Sequence, residues 1–429
     1  MKKKECVLIF SHSNYRIRSA GTEKYISEIE MLLKKGGKSL VQVFPMVDLN
    51  RKIKKVFPWF KGEYMGVNCE GIFCGACEKQ KLLAFLHNIS VKHNLSYIGI
   101  QIHHLSGWDL EGVDEAVQEL CLPVILLIHD YYMICPYIEI PDGGLDRECS
   151  KMIGAPDENR CGGCKYQQDG MQSYQNMRRF LEHVSEYIVR ILTPSESALK
   201  IWVSAFAEAQ KKAMVRPHLK YEFKHYGRSV NDKIRIGYMG SLMKSKGYEK
   251  WKQIIRELPS EKYEFYCFSA RASGEKGVHD IYVNFQDRDC QGMAEQLKQH
   301  NIDIAFLWSI WAETYSYTYY EAYEAGCYVI TNEYSGNIAA QVAGNGNGKV
   351  FREFSECLEW LQNVSEVKAN LQRYGDTNSV PVNVEPNNSM EEFRLPETKK
   401  TDLEQGKPHP FIKNFIVSWF YARLRKYPV

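Results

Sequence analysis

Two successive series of short β-branched runs, each followed by helix-length amphipathic stretches, leave this 429-residue chain few folds to choose from. In the first series, apolar runs at 6–10, 41–44, 97–103, 123–129 and 187–192 read as strands, and 21–35 carries helical spacing. In the second, runs at 233–239, 263–268, 280–285, 303–307 and 328–331 read as strands with helical patterns between them. Strands that are apolar on both faces and alternate with helices form parallel sheets covered on both sides. The polar stretch at 212–232 separates the series. The pattern therefore predicts an α/β protein of two doubly wound, Rossmann-like domains, 1–215 and 225–375, with a cleft between them.

Composition narrows the function. Lys and Arg number 55 against 52 Asp and Glu, a net charge of +3, which argues against a dedicated nucleic-acid binder. The opening MKKKECVLIF has too short an apolar run for a secretory signal, and PVILLIH from Pro123 is far below the roughly 20 residues of a bilayer span. Thirteen cysteines in such a chain read as cytosolic thiols or metal ligands rather than a disulfide framework. The expected location is the cytoplasm.

Residues 368–410 are polar and read as a linker, so 376–429 is taken as linker plus a terminal amphipathic helix. In that helix Phe411, Ile412, Phe415, Ile416, Trp419 and Phe420 share one face, with Arg423, Arg425 and Lys426 beyond it. Two readings stand equally: a helix packed on the first domain, or one lying on the inner face of an anionic membrane as a peripheral contact through 411–426.

The most specific stretch is DIAFLWSIWAETYSYTYYEAYEAGCYVIT, from Asp303 to Thr331. A strand leads through a loop to Glu313, then to Glu321 on a helix that Gly326 stops. Open α/β sheets bind ligands at this carboxyl edge, and N–H groups at a helix start face a phosphate. Taken alone, two glutamates at this spacing favour a bland reading, with Glu313 solvated and Glu321 merely preferring a helix start.

Further motifs occur in order: SAGTEKYISEIE after the first strand, IQIHHLSG at 100–107, HDYYMICP at 129–136, LTPSESALKIW at 192–202 and GYMGSLMKSKG at 237–247. Together they resemble the retaining nucleotide-sugar glycosyltransferases of the GT-B fold, in particular glycosyltransferase family four, over most of the chain. The resemblance implies that Glu313 holds the donor sugar's hydroxyls and Glu321 the nucleotide's ribose. It implies that the N–H groups of Thr314, Tyr315 and Ser316 approach the diphosphate, that Gly240 leaves room for it, and that Lys246, ahead of Gly247, neutralises it. A fixed cation and backbone donors would stabilise the departing nucleoside diphosphate, so no catalytic metal is expected. His129 would face the donor sugar from the opposite wall without acting as a general base. His103 and His104 are acceptor-side candidates, and Gly21 would let backbone approach the donor or acceptor. Two positions depart from the pattern: Tyr137 stands where the family has Arg, and Ala312 where it has Pro. The first puts an anionic contact in doubt; the second should only loosen the loop. The run GNGNG at 344–348 precedes a strand rather than opening a helix, so it reads as a turn and not a dinucleotide fingerprint.

Cys135, Cys149, Cys161 and Cys164 lie within a Gly- and Asp-rich insertion at about 135–170. Four thiolates around one cation would give a structural zinc site, favoured over four unconnected thiols and over an iron–sulfur cluster. The family subgroup that the chain resembles carries a similar insertion. CGAC at 74–77, with Cys69 nearby, reads as strand and turn thiols, and pairing of the two CxxC elements stays open.

The resulting expectation is transfer of a sugar from a nucleotide-diphosphate sugar, bound by the second domain, to a saccharide or lipid-linked acceptor on the first, with retention. The resemblance adds bacterial surface-polysaccharide synthesis. The alternatives are a non-catalytic GT-B partner subunit, which would be expected to lose Lys246 or a glutamate, and a nucleotide-sugar epimerase.

Overall fold

The computed structural model describes residues 3–18, 20–56, 63–137, 154–284, 286–287 and 290–387. The first strand, β1 (Lys4–Phe10), shows how the sequence builds a buried sheet. Cys6, Leu8 and Phe10 enter one apolar cluster, while Val7 and Ile9 enter another on the opposite face, where Tyr25, Ile26 and Ile29 of the helix Gly21–Lys35 cover them. A strand covered on both sides must be apolar at every position, hence the unbroken CVLIF.

β2 (Ser39–Pro45), β3 (Tyr64–Cys69), β4 (Ile72–Glu78), β5 (Leu95–Ile102), β6 (Val124–Leu127), β7 (Ile188–Thr193) and β8 (Ala213–Val215) complete the first sheet. Its order is β4-β3-β2-β1-β5-β6-β7-β8, parallel except that β3 runs antiparallel to both β2 and β4. After β9 (Leu219–His225), the second sheet uses β10 (Ile234–Met239), β11 (Tyr263–Ser269), β12 (Val278–Tyr282), β13 (Ile304–Phe306), β14 (Tyr328–Asn332) and β15 (Gly348–Phe351). It is wholly parallel, in the order β12-β11-β10-β13-β14-β15. The two doubly wound sheets predicted from the alternating pattern are present.

Strand order reverses beside the first strand of each sheet, between β1 and β5 and between β10 and β13. In open parallel sheets the crevice beyond the carboxyl ends of such a strand pair holds the ligand. The loops after β1, β5, β10 and β13 are therefore where chemistry is to be sought.

Three features differ from the sequence reading. The antiparallel hairpin β3–β4 was not anticipated. The polar stretch at 212–232 contains β8 and β9. The segment read as linker from Lys368 holds the rest of a helix, Val364–Thr377, and then β16 (Ser379–Pro386), which pairs antiparallel with β9. Polar residues suffice there because β9 and β16 form a two-stranded ribbon largely open to water. The GNGNG run closes the helix Asn337–Asn345, with Gly346 left-handed at its end, and leads into β15. The terminal helix expected at 411–426 lies outside the described residues. Among the described residues, no helix is long and apolar enough to cross a membrane.

Candidate active site

Lys246 and Glu313 come together at the switch point of the second sheet. Lys246 ends a short turn, Lys244–Lys246, in the loop after β10; Glu313 lies in the loop after β13. Lys246 Nζ donates to Glu313 Oε1 at 2.5 Å and sits 4.9 Å from the centre of the Trp311 ring. The Glu313 side chain is 7% exposed against 35% for Lys246, so the lysine reaches in from the cleft to a buried carboxylate. A buried carboxylate without a partner is costly, which makes this pairing a structural need before a ligand arrives.

Two glycines hold the pair in place. Gly247 is left-handed (φ 80°), and a Cβ there would lie 2.2 Å from the Trp308 carbonyl oxygen. Gly336 (φ 62°) packs so closely on Glu313 that a Cβ would lie 2.7 Å from its nitrogen. Glu313 N–H donates to Ser335 O, and Asn337 N–H donates to Glu313 O, so the backbone of Glu313 is fixed at both ends. Gly240 (φ 100°) closes β10, with Thr318 Cγ2 3.7 Å from where its Cβ would be.

The next three residues bridge to the first domain. Thr314 Oγ1 donates to the His129 carbonyl at 2.5 Å, and the Thr314 carbonyl accepts from Ser195 Oγ at 2.7 Å. Tyr315 OH accepts from Leu219 N–H at 3.0 Å. Ser316, left-handed at φ 67°, precedes the helix Tyr317–Glu324 and shares a hydrogen bond with Thr318. Trp311 and Ala312 are buried within the core of the first domain, with Trp311 edge-on to Tyr131, so this loop is wedged between the two halves. Ala312, where the family pattern has Pro, thus lies in a tightly held loop.

Glu321 faces Lys24 rather than the Lys246–Glu313 pair, at 2.7 Å. Lys24 also lies 4.4 Å from the centre of the Tyr317 ring, and Tyr317 OH donates to Glu28 at 2.7 Å. Burial works against the Lys24 charge, but Glu321, joined by Glu28 and Glu324, outweighs it and raises the Lys24 pKa. Burial lifts Glu28 from the usual carboxylate range to about 7, with Lys24 and the Tyr317 hydrogen bond pulling the other way. Gly21 starts the same helix, 3.9 Å from Tyr317 Cδ2 when given a Cβ. The face of this helix bearing Lys24 and Glu28 escaped sequence reasoning, although their spacing of four with Gly21 beside them marks one helical face.

On the first domain, His129 and His103 share a hydrogen bond of 2.9 Å, and His103 Nε2 meets Gln101 Oε1 at 3.1 Å. The amide oxygen requires a proton on His103 Nε2, so His103 Nδ1 accepts from His129 Nε2–H and the lone pair of His129 Nδ1 is left as an acceptor. Burial, reinforced for His129 by His218 and for His103 by His129, holds both rings neutral, with pKa values well below the usual imidazole range. Tyr25 packs against His103, His129 and His218, with ring centres 4.4–5.7 Å apart. His218, held down at about 3 by burial and then by His103, lay unnoticed in the polar stretch between the domains.

His104 Nδ1 accepts from Ser106 N–H and its Nε2 donates to Asp130 at 2.8 Å. Burial opposes the Asp130 charge, yet His104 and the Tyr132 N–H bring its pKa down to about 2. His103, His104, His129 and Asp130 border a recess of about 10 Å³. A larger cavity of about 450 Å³ opens beside the carboxyl ends of β2 and β5, lined in part by Arg51, Lys79, Trp108, Asp109 and Glu115. Sequence reasoning missed it. Trp108 is its aromatic wall and is anchored by Nε1–H donating to Ser11 O at 2.8 Å.

In the Cys-rich insertion, Cys164 N–H donates to Cys161 O at 2.9 Å and Tyr166 N–H points at Cys164 Sγ at 3.4 Å. The sulfurs of Cys135, Cys161 and Cys164 are not all brought within 4.8 Å of one another, so the structure does not assemble these three as a ligand set. Cys135 Sγ packs against Gly170, and Tyr137, the residue replacing the family's Arg, stacks on Tyr166 at 4.0 Å. Cys149 lies outside the described residues.

No sequence-family model matches the chain, and no curated protein matches it. Solved structures do. Sucrose-phosphate synthase from Thermosynechococcus elongatus aligns with a TM-score of 0.51 at 10% identity, over 87% of this chain and 93% of that one. TarM aligns with a TM-score of 0.50 at 7% identity, over 87% and 94%. At such identities the likeness is one of fold, and the fold is GT-B, that of glycosyltransferases with two Rossmann-like domains.

Proposed function

We propose that the chain is a retaining glycosyltransferase that takes its donor, a nucleotide-diphosphate sugar, at the carboxyl edge of the second sheet. The observation that carries this reading is the buried Glu313 carboxylate paired with Lys246 at the β10/β13 switch point, tied through Thr314 to the His129 strand end. Lys246 is held by Glu313 until a diphosphate offers it a second anion. The freed Glu313 oxygen then accepts hydroxyls of the donor sugar. The N–H groups of Thr314, Tyr315 and Ser316 lie at the start of Tyr317–Glu324, where backbone donors favour phosphate. Glu321 exchanges Lys24 for the ribose hydroxyls, which couples donor entry to the contact between the domains.

In the reaction, the bond between the anomeric carbon and the phosphate oxygen breaks, and its electron pair leaves with the nucleoside diphosphate. The acceptor hydroxyl oxygen bonds to the same face of that carbon, and its proton passes to the departing phosphate oxygen. Lys246 and the fixed N–H donors stabilise the leaving charge without reorganising, which supplies the need a catalytic metal would otherwise meet. Neutral His129 serves as a hydrogen-bond acceptor for a sugar hydroxyl through Nδ1, not as a base. The contacts across the seam, Thr314 with His129 and Ser195 and Lys24 with Glu321, exclude water from the reacting carbon.

The acceptor is a saccharide, free or lipid-linked. The Trp108 cavity, with an aromatic wall and the carboxylates of Asp109 and Glu115, has the chemistry of a sugar site. A place in bacterial surface-polysaccharide synthesis rests on the sequence resemblance, and a peripheral contact with the inner face of a membrane rests on the amphipathic pattern at 411–426. The structural zinc of Cys135, Cys149, Cys161 and Cys164, whose four thiolates would close a tetrahedral shell, rests on the clustering of these cysteines in sequence; Cys161→Ser should remove one equivalent of metal.

Product analysis tests the reading. The chain, incubated with nucleotide-sugars and candidate saccharide acceptors, should yield a glycoside whose anomeric configuration matches the donor's, by proton NMR. Release of epimerised donor without transfer would make it an epimerase, and donor binding without turnover a partner subunit.

A further inference from the structure

The hairpin at the edge of the first sheet carries three side chains that sugar transfer does not use. Cys69 ends β3 and is buried, Cys74 lies half-buried on β4, and His93 follows the helix Leu82–Lys92 on the exposed surface. Their two sulfurs and an imidazole nitrogen lie within 4.8 Å of one another, and they form the one such group among the described residues.

The local sequence places them there. Glu70 and Gly71, both left-handed at φ 50° and 78°, make the two-residue turn that sets Cys69 opposite Ile72. Register then shifts: Asn68 pairs with Phe73 but Val67 with Gly75, so Cys74 is the extra residue of a β-bulge. Bulges re-aim side chains, and here the Cys74 sulfur, which donates to the Ile72 carbonyl at 3.6 Å, comes within 4.8 Å of the Cys69 sulfur. His93 is held at the helix end by its N–H, which donates to the Ile89 carbonyl at 3.0 Å, and the next N–H, that of Asn94, donates to the Val91 carbonyl at 3.2 Å.

We propose that Cys69, Cys74 and His93 bind one thiophilic divalent cation, zinc in class, with solvent as the fourth tetrahedral ligand. Two thiolates and an imidazole match the ligand preferences of zinc. At zinc–ligand distances of about 2.0–2.3 Å, neighbouring ligand atoms of a tetrahedron stand roughly 3.5–3.8 Å apart. The trio therefore needs a contraction of about 1.3 Å at most, within reach of side-chain rotation. Binding converts two thiols to thiolates and releases two protons, one from each cysteine. The bound ion ties the tip of an edge hairpin to the end of a helix from a different segment of the sheet. It is a separate site from the Cys135–Cys164 insertion, which follows β6 on the far side of β1.

The test uses the full chain, purified with reductant, stripped by chelator and titrated anaerobically with cobalt(II). The wild-type protein should show thiolate-to-cobalt charge-transfer absorption. Cys74→Ser and His93→Ala should each lose one of its bound equivalents, or bind that equivalent 10–100-fold more weakly. Cys161→Ser should leave this equivalent in place. His93 is exposed, so His93→Ala retains the fold even if Cys74→Ser does not, and circular dichroism checks both. Unchanged stoichiometry and spectrum in His93→Ala would overturn the proposal. So would a Cys69–Cys74 disulfide, found by mass spectrometry, in protein kept reduced. Because the readout is metal, either result leaves sugar transfer untouched.

Discussion

Acidification should destabilise this protein through four histidine rings. His103 and His218 are buried and His12 and His129 nearly so; desolvation holds all four rings neutral, with pKa values below the ordinary value near 6.5, His12 (despite Glu23 at 3.4 Å) and His218 at about 3. A histidine depressed in the folded state contributes stability that is full above about 6.5 and is lost as pH falls, because only the unfolded chain takes the proton. At about pH 5.5 the loss is RT ln(1 + 10), about 1.4 kcal/mol for each ring and about 5–6 kcal/mol for four. Glu28 acts in the opposite sense. Raised to about 7, it contributes stability that is full below about 4.5 and lost as pH rises through 7, so acidification to pH 5.5 returns about 2 kcal/mol. The histidines win, and the net loss between about pH 8 and 5.5 is about 3–4 kcal/mol, with about three protons taken up on unfolding. Urea melts across this range, followed by fluorescence, read the difference. His218→Phe keeps the stack on Tyr25 and Tyr315 and should remove about 1.4 kcal/mol of the acid loss. Stability that is flat or rising toward pH 5.5, or an unchanged slope in His218→Phe, would refute the reasoning.

Glu313→Gln should lower kcat/KM by about 100-fold or more, since it removes a buried carboxylate from the reacting sugar while leaving its volume; steady-state kinetics on the glycosylation reaction measure it. Gly247→Ala should cost about 3 kcal/mol or more in urea melts, because a left-handed residue would gain a Cβ against the Trp308 carbonyl. Thr314→Val should cost about 0.5–1.5 kcal/mol and raise the donor KM, as it deletes the hydrogen bond to His129 O across the domains. Trp108→Ala should raise the acceptor KM and leave donor affinity unchanged by titration, if the 450 Å³ cavity takes the acceptor.

Much of this architecture is readable from sequence, because fully buried parallel strands leave an unbroken apolar signature that polar loops cannot hide. CVLIF, with a helix from Gly21 to Lys35, lies where the pattern puts it. The β3–β4 hairpin left no such signature. Gly66 and Gly75 interrupt it, and Gly66 is required because the Phe44 ring occupies the space a Cβ would need. The ribbon of β9 and β16 pairs residues more than 150 positions apart with mostly polar side chains, so no local periodicity announces it. The site divides the same way. Lys246 and Glu313 stand out by local motif, each beside a glycine or a helix start. Lys24, Glu28 and His218 matter through partners far along the chain, and that pairing is set by how the two sheets meet. The carboxyl and imidazole pKa shifts at the seam arise from burial, which composition does not report.

Calorimetric titration of UDP, ADP and GDP into the wild-type chain, Lys246→Ala and Lys246→Arg asks whether Lys246 grips a nucleoside diphosphate. At least one of the three should bind the wild-type chain at one site, weaken at least about tenfold in Lys246→Ala and recover in part with Lys246→Arg. Failure of all three to bind, or equal affinity in Lys246→Ala, would contradict that role for Lys246.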